Sequence, residues 1–537
     1  MIGKMEVVVL GLLALIAALA LLGRKLPVPY PILLVAGGAL LSLIPGLPII
    51  HLSPDLVFLI FLPPLLYPAA LFTPWRDFRA NLRPILLLAI GLVLFTTIVV
   101  GCLAHRLIPG LPLAAGIVLG AIVSPPDAVA ASAIAERLLV PRRIVTILEG
   151  ESLVNDATAL VAFRFGVAAV ATGSIIWGQV CAQFVVVGLG GILVGLIVGL
   201  LTAWFQRRIE DPPIEITIAL LTPFLAYLPA ERLGFSGVLA VVTTGLYYGW
   251  RLPEITSSRT RLQAGPVWDM IEFLLNGFIF LLIGLQLPAV VQALSAHSKL
   301  QLVWYASAVS LAVIVVRMLW VFPAAYLPYW LLKGLRRHAP YPNWRALVII
   351  GWTGMRGVVS LAAALALPLK TQSGAPFPDR DLILFLTFAV ILVTLGGQGL
   401  SLPLLIRWLG IEDDQLAQKE ECEARLQANQ AALARLDEAA GAQSINPGIL
   451  QRLRAEYEDR IQVLSEVCSR NRSGGPHPIY SSDYEHLARE ALRVERATLL
   501  RLRNERVIND DVLRRVQHDI DLAEVRLQSP PARGAAH

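Results

Sequence analysis

Charge is scarce in this sequence. Asp, Glu, Lys and Arg make up 16% of its 537 residues while 56% are hydrophobic, and the mean hydropathy is +0.66. That balance excludes an ordinary soluble globular protein of this length, so the chain reads as an all-α polytopic membrane protein. Cysteine is scarce too. Cys102 and Cys181 lie in apolar runs, and Cys422 and Cys468 lie in a polar C-terminal region without zinc-ligand spacing or a disulfide framework; all four are expected as free thiols. No small-residue cleavage site follows the first apolar run, Val7 to Leu22, which therefore reads as a retained helix rather than a removed signal peptide. The isoelectric point near 9.2 gives no argument for nucleic acid, because basic residues in a membrane protein are first of all topology signals.

Apolar runs long enough to span a bilayer occupy about residues 5–23, 30–45, 55–72, 84–106, 112–136, 144–171, 177–205, 214–231, 235–250, 268–292, 300–332, 345–369 and 381–409. The loops test this count of about thirteen independently, because cytoplasmic loops hold the Lys and Arg. After the odd-numbered runs come Arg24, Lys25, Arg76, Arg79, Arg83, Arg137, Arg142, Arg143, Arg207, Arg208, Arg251, Arg259, Arg261, Lys333, Arg336, Arg337 and Arg345. After the even-numbered runs come Arg106, Arg232, Lys299, Lys370 and Arg380. A missed or invented helix would scramble this alternation downstream, so the N-terminus is expected outside and the C-terminus in the cytoplasm. Residues 1–410 form the membrane domain on this reading. Residues 411–537 turn charged and rich in Ala, Leu and Gln, with breaks at Asn446-Pro447 and around Ser473 to Pro478, and read as a cytoplasmic tail of roughly three helices.

The sixth run is the anomaly. Leu148 to Phe165 carries Glu149, Glu151, Asp156 and Arg164, and each would cost several kcal/mol at bilayer depth if unpaired. Ser152 and Asp156, four residues apart, share a helix face that can present a hydroxyl and a carboxylate to a cation, and Glu151 and Asn155 share an adjacent one. Glu149 reads equally well as a headgroup-level cap. Arg317 stands alone in the eleventh run, and Glu151 is its best candidate partner, which leaves Asp156 to titrate. Arg164 is expected to snorkel outward or face an aqueous funnel.

Two further runs carry interruptions. Pro125-Pro126 removes two backbone donors in the middle of the fifth run, just before Asp127, and Gly351-Trp-Thr-Gly-Met-Arg-Gly357 places three glycines and Arg356 in the twelfth. Broken helices at corresponding positions of two halves point to inverted repeats with a binding site at the midplane, where Asp127 and Arg356 would balance half-helix ends of opposite sign. Pro63-Pro64 in the third run and Gly396 to Gly399 in the thirteenth are rival interruptions. Gly191, Gly195 and Gly199 at four-residue spacing read as close helix packing.

The segments Ser124-Pro-Pro-Asp-Ala-Val-Ala130, Glu149-Gly-Glu-Ser-Leu-Val-Asn-Asp156 and Gly354-Met-Arg-Gly357 resemble the bacterial Na+/H+ exchangers of the monovalent cation:proton antiporter-1 family, a likeness covering about residues 5–410. The resemblance implies thirteen helices as two inverted six-helix repeats, a dimerisation part and a moving core, and a homodimer in the bacterial inner membrane serving pH homeostasis without a cofactor. Matched residue by residue, Asp156 looks like the family's proton- and cation-carrying acid. Ser152 and the backbone at Pro126, beside Asp127, look like cation ligands, and Asn155 looks like the amide that goes with electroneutral exchange. Glu151 and Arg317 look like its buried ion pair, and Arg356 like the arginine of the second broken helix. Where most of the family has Thr-Asp-Pro, this chain has Pro126-Asp127-Ala128, so a Thr hydroxyl is missing.

The expected function is antiport of Na+, or Li+ or K+, against H+, with Asp156 binding one or the other. A cation channel could use the same broken helices, and an intramembrane aspartyl hydrolase could pair Asp127 with Asp156. Neither accounts for Ser152, Asn155 and the Glu151 with Arg317 arrangement.

Overall fold

In lipid every backbone polar group must find its partner within the protein, which leaves helices as the default for apolar runs like these. The computed structural model describes residues 2–23, 30–43, 54–127, 131–132, 134–135, 138, 140–172, 177–294, 298–331, 342–371, 374–411, 416–439, 447–473, 482–505, 507 and 510–528. Ala128 and the loop cations Arg24, Lys25, Arg137, Lys333, Arg336 and Arg337 lie outside them. Among the described residues the only β structure is one isolated bridge, Lys370 with Pro376.

The helices are α1 (Ile2–Gly23), α2 (Tyr30–Leu41), α3 (Pro54–Phe72), the short α4 (Trp75–Ala80), α5 (Leu82–Leu107), α6 (Leu113–Val123), α7 (Arg142–Thr172), α8 (Trp177–Gln206), α9 (Pro212–Arg232), α10 (Gly237–Ile255), α11 (Ser258–Ala293), α12 (Lys299–Leu331), α13 (Trp344–Trp352), α14 (Val358–Leu365) and α15 (Arg380–Leu409). A described helix falls within each apolar run, and among the described residues seven helices are long and apolar enough to cross a membrane by length and composition. The rival interruptions do not break their helices. α3 continues through Pro63, Pro64 and Pro68, and α15 absorbs its glycines in a π-helical turn, Thr394–Gln398.

Packing sorts these elements into two groups. α2 lies against α11, α3 against α10 and α8 against α10, while α5 packs on α6, α6 on α7, and α12 on α5 and α13. Small residues set the closest approaches: a Cβ at Gly284 of α11 would strike the Val35 carbonyl of α2, and one at Gly195 of α8 would strike the Ala240 carbonyl of α10. α8 turns Val186, Leu189, Leu193 and Leu200 outward, as an all-round apolar helix does when lipid is its neighbour.

The chain divides into two compact units, Met1–Glu412 and Asp413–His537. Among the described residues the second holds four helices where roughly three are expected: α16 (Leu416–Ala439), α17 (Pro447–Ser473), α18 (Ser482–Asn504) and α19 (Asp510–Gln528). The cysteine expectation is also corrected. Cys422 of α16 and Cys468 of α17 form a disulfide with a Cα–Cα distance of 5.8 Å, because the two helices fold back on each other and bring together residues 46 positions apart. Cys102 is a free thiol.

Candidate functional site

The two chain breaks meet. α6 stops at Val123, Ser124 to Asp127 are non-helical, and Thr353 to Gly357 separate α13 from α14. The Asp127 amide donates to the Met355 carbonyl at 2.7 Å, one break satisfying the other. Arg356, fully buried, turns its guanidinium onto the end of α6: Nε donates to the Val123 carbonyl at 2.9 Å, a second nitrogen reaches Ser124 at 3.4 Å, and a third bonds the Gly354 carbonyl. A positive charge thereby sits on carbonyls that the broken helix leaves without partners. The Asp127 carboxylate in turn lies against Gly357 at the N-terminal end of α14, so close that any Cβ there would collide with it. The π turn of α15 contributes as well, since the Arg356 amide donates to Thr394 Oγ1 at 3.1 Å.

α7 runs past this crossing with its polar residues on two faces. Glu151 points to α12, where its carboxylate takes two bonds from Arg317 at 2.5 and 2.8 Å, with exposures of 1% and 0%. Arg317 Nε also donates to the Ile350 carbonyl of α13 at 3.1 Å, so one buried ion pair joins three helices. Asn155 donates from Nδ2 to the Pro126 carbonyl at 2.9 Å, while its Oδ1 has no partner among the described residues.

Ser152 and Asp156 face the other way, into a cavity of about 670 Å³. Asp127, Pro126, Ser360 of α14, α3 and α11 complete its wall, so it lies between the two packing groups. Asp156 is 5% exposed, whereas Phe72, Pro74, Arg142 and Asp269, also lining it, are exposed. The mouth therefore lies at the end where Arg76, Arg79, Arg83, Arg142 and Arg143 gather. Arg142, the only cation among the described lining residues, bonds Asp77 at 2.6 Å.

Of the residues expected to meet a cation, Asp156, Ser152, Asp127 and Pro126 thus share the cavity. Asn155 does not; it holds Pro126 from behind. Glu149 lines the cavity as well. Arg164, exposed, is paired at 2.5 Å with the half-buried Glu231 near the end of α9. Sequence reasoning missed Asp269, Glu272, Asn276 and Ser360 on the wall. The first three stand at i, i+3 and i+7 of a largely apolar helix, a stripe that helical periodicity would have exposed. Glu215 of α9 was missed too: it is 1% exposed, and neither carboxylate oxygen has a hydrogen-bond partner among the described residues.

Comparison with known proteins gives concordant matches. The family model described as sodium/hydrogen exchanger, transmembrane, matches residues 11–408. A protein of Mycobacterium tuberculosis described as an uncharacterised Na+/H+ exchanger is 39% identical over 533 residues, covering 98% of this chain and 96% of its own. A sodium, potassium, lithium and rubidium/H+ antiporter of Bacillus subtilis is 38% identical over 412 residues, 74% of this chain and 61% of its own. The solved structure of the sodium proton antiporter MjNhaP1 from Methanocaldococcus jannaschii superposes with a TM-score of 0.56 at 20% identity, covering 76% of this chain and 99% of that one; at that identity the likeness concerns the fold.

Proposed function

The chain belongs to the sodium/hydrogen exchanger family of secondary transporters, and from that premise we propose that it exchanges Na+ for H+ with Asp156 as the carboxyl that carries each in turn. The observation that carries this reading is the convergence of Asp156 and Ser152 with two interrupted helices on one cavity wall. A carboxylate taken almost out of water is stabilised by whichever positive charge reaches it, and a proton and a dehydrated alkali cation are rival occupants. The Ser152 hydroxyl and the Pro126 carbonyl supply hard neutral oxygens suited to Na+ or Li+. The Asn155 amide sets where that carbonyl points. Because residue 155 is an amide, Asp156 is the one titrating member of the pair, which makes the exchange electroneutral at one proton per cation.

Movement follows from the two packing groups. Glu151, Arg317 and Arg356 tie α6, α7 and α12 to α13 and the break before α14, a core that rocks as one body against α1–α3 and α8–α11, and the cavity lies on the boundary between them. Thirteen spans arranged as two inverted six-helix repeats leave the N-terminus outside and the tail in the cytoplasm, and two copies pair in the membrane. By the arginine bias the cavity mouth faces the cytoplasm, so this is the inward-open state.

The names of the Bacillus relatives support a second reading, in which K+ is exchanged as well. Exchange in proteoliposomes with Na+, Li+ and K+ over a pH range decides between them. Asp156→Asn and Asp156→Ala are expected to abolish cation-dependent proton movement in everted vesicles. Exchange retained by a well-inserted variant would remove the central assignment.

A further inference from the structure

The α11 side of the cavity is acidic and graded. Asp269, Glu272 and Asn276 lie on one helix face, and they pass from exposed through partly buried to buried, over about 10 Å at the helical rise. All three line the cavity. Glu272 lies within electrostatic range of Asp269 toward the mouth and of Asp127 toward the interior. A separate observation points to an occupant: the hydroxyls of Ser360, 1% exposed, and Ser132, 8% exposed, both line this cavity without a hydrogen-bond partner among the described residues. A buried polar group left unmatched is unfavourable, and a cation with its residual water removes that penalty.

We propose that Glu272, with Asp269 ahead of it and the Ser360 hydroxyl within the same cavity, forms an outer station that captures a partly hydrated monovalent cation and passes it to Asp156. The inference rests on the transport reading given above and adds a second stop to it. Glu272 belongs to the packing group that does not carry Asp156, so the station stays with the scaffold when the core moves. A cation held there is drawn inward by Asp127 and Asp156, and Arg142, the one cation among the described lining residues, is engaged by Asp77. The station therefore serves only the face of the membrane onto which this cavity opens.

That sidedness is the test. In the full-length protein reconstituted with known orientation, Glu272→Gln is expected to raise the half-saturating Na+ concentration on the mouth side about tenfold, the lower end of focusing by a charged cleft. Half-saturation from the opposite side stays as in the wild type, and Glu272→Asp restores most of the loss. Asp269→Asn shifts the same constant in the same direction, less strongly, and flattens its dependence on added choline chloride, because fewer charges are left to screen. An unchanged constant in Glu272→Gln, an equal rise from both sides, or an effect confined to the maximal rate would overturn the proposal. If Glu272→Gln does not insert, the exposed Asp269 position decides: a wild-type salt dependence in Asp269→Asn overturns it. Failure here with exchange still abolished in Asp156→Asn defeats the station alone, whereas exchange retained in Asp156→Asn defeats the carrier reading beneath it.

Discussion

At the scale of single residues, environment separates groups of the same chemistry. Glu151 and Asp156 are neighbours on α7, and both are nearly out of water. Glu151 meets a guanidinium in two-pronged geometry and is neutralised within the protein. Asp156 lines a cavity instead, from which its counter-charge arrives on the proposed reading. Removing one partner of a buried ion pair leaves the other charge uncompensated, at a cost of about 3–5 kcal/mol. Glu151→Gln is accordingly expected to lower the thermal midpoint in detergent well below that of the wild type, while Asp156→Asn leaves it unchanged or raises it. Glu151, Asp156 and Arg317 stood out in the sequence because each is a charge deep within an apolar run. Glu272 did not, because it lies among the first residues of the apolar run 268–292, where a charge reads as a boundary residue, and Ser360 did not, because a hydroxyl is commonplace in a membrane helix.

At the scale of elements, the broken helices hold each other. A half-helix end at membrane depth needs a partner for its carbonyls or amides, and here the partner comes from the other break: Arg356 for α6, Asp127 for the start of α14. Gly357 is the position where this depends on the absence of a side chain. Gly357→Ala places a methyl onto the Asp127 carboxylate and is expected to cut exchange at least about tenfold, as a displacement of about 1 Å at a binding centre can. The check is initial rate in proteoliposomes against the amount of inserted protein; a wild-type rate would show that the crossing tolerates separation. Pro125-Pro126 and the glycines around Arg356 made both breaks legible in the sequence, because neither pattern continues a helix. Which breaks mattered was not legible. Pro63-Pro64 has the same local chemistry as Pro125-Pro126, yet both prolines are buried in an unbroken α3, where neighbouring helices and local adjustment accommodate the freed groups.

At the scale of the whole molecule, the thirteen spans proposed above would place the two termini on opposite faces of the membrane. The unit Asp413–His537 is therefore expected to be cut by added protease in everted vesicles and protected in right-side-out ones; the reverse pattern would invert the topology and the sense of the cavity mouth. The sequence alone determined the membrane class and the family, and it supplied the acid of the proposed site, because hydropathy, charge bias and a lone carboxylate in an apolar run are local properties of the chain. Tertiary structure alone decided that Asn155 serves Pro126 rather than the cavity, that Cys422 and Cys468 join, and that Asp269, Glu272 and Ser360 stand on the same wall as Asp156. Each of those is a distance between residues far apart along the chain, set by how helices pack, and no local pattern encodes it.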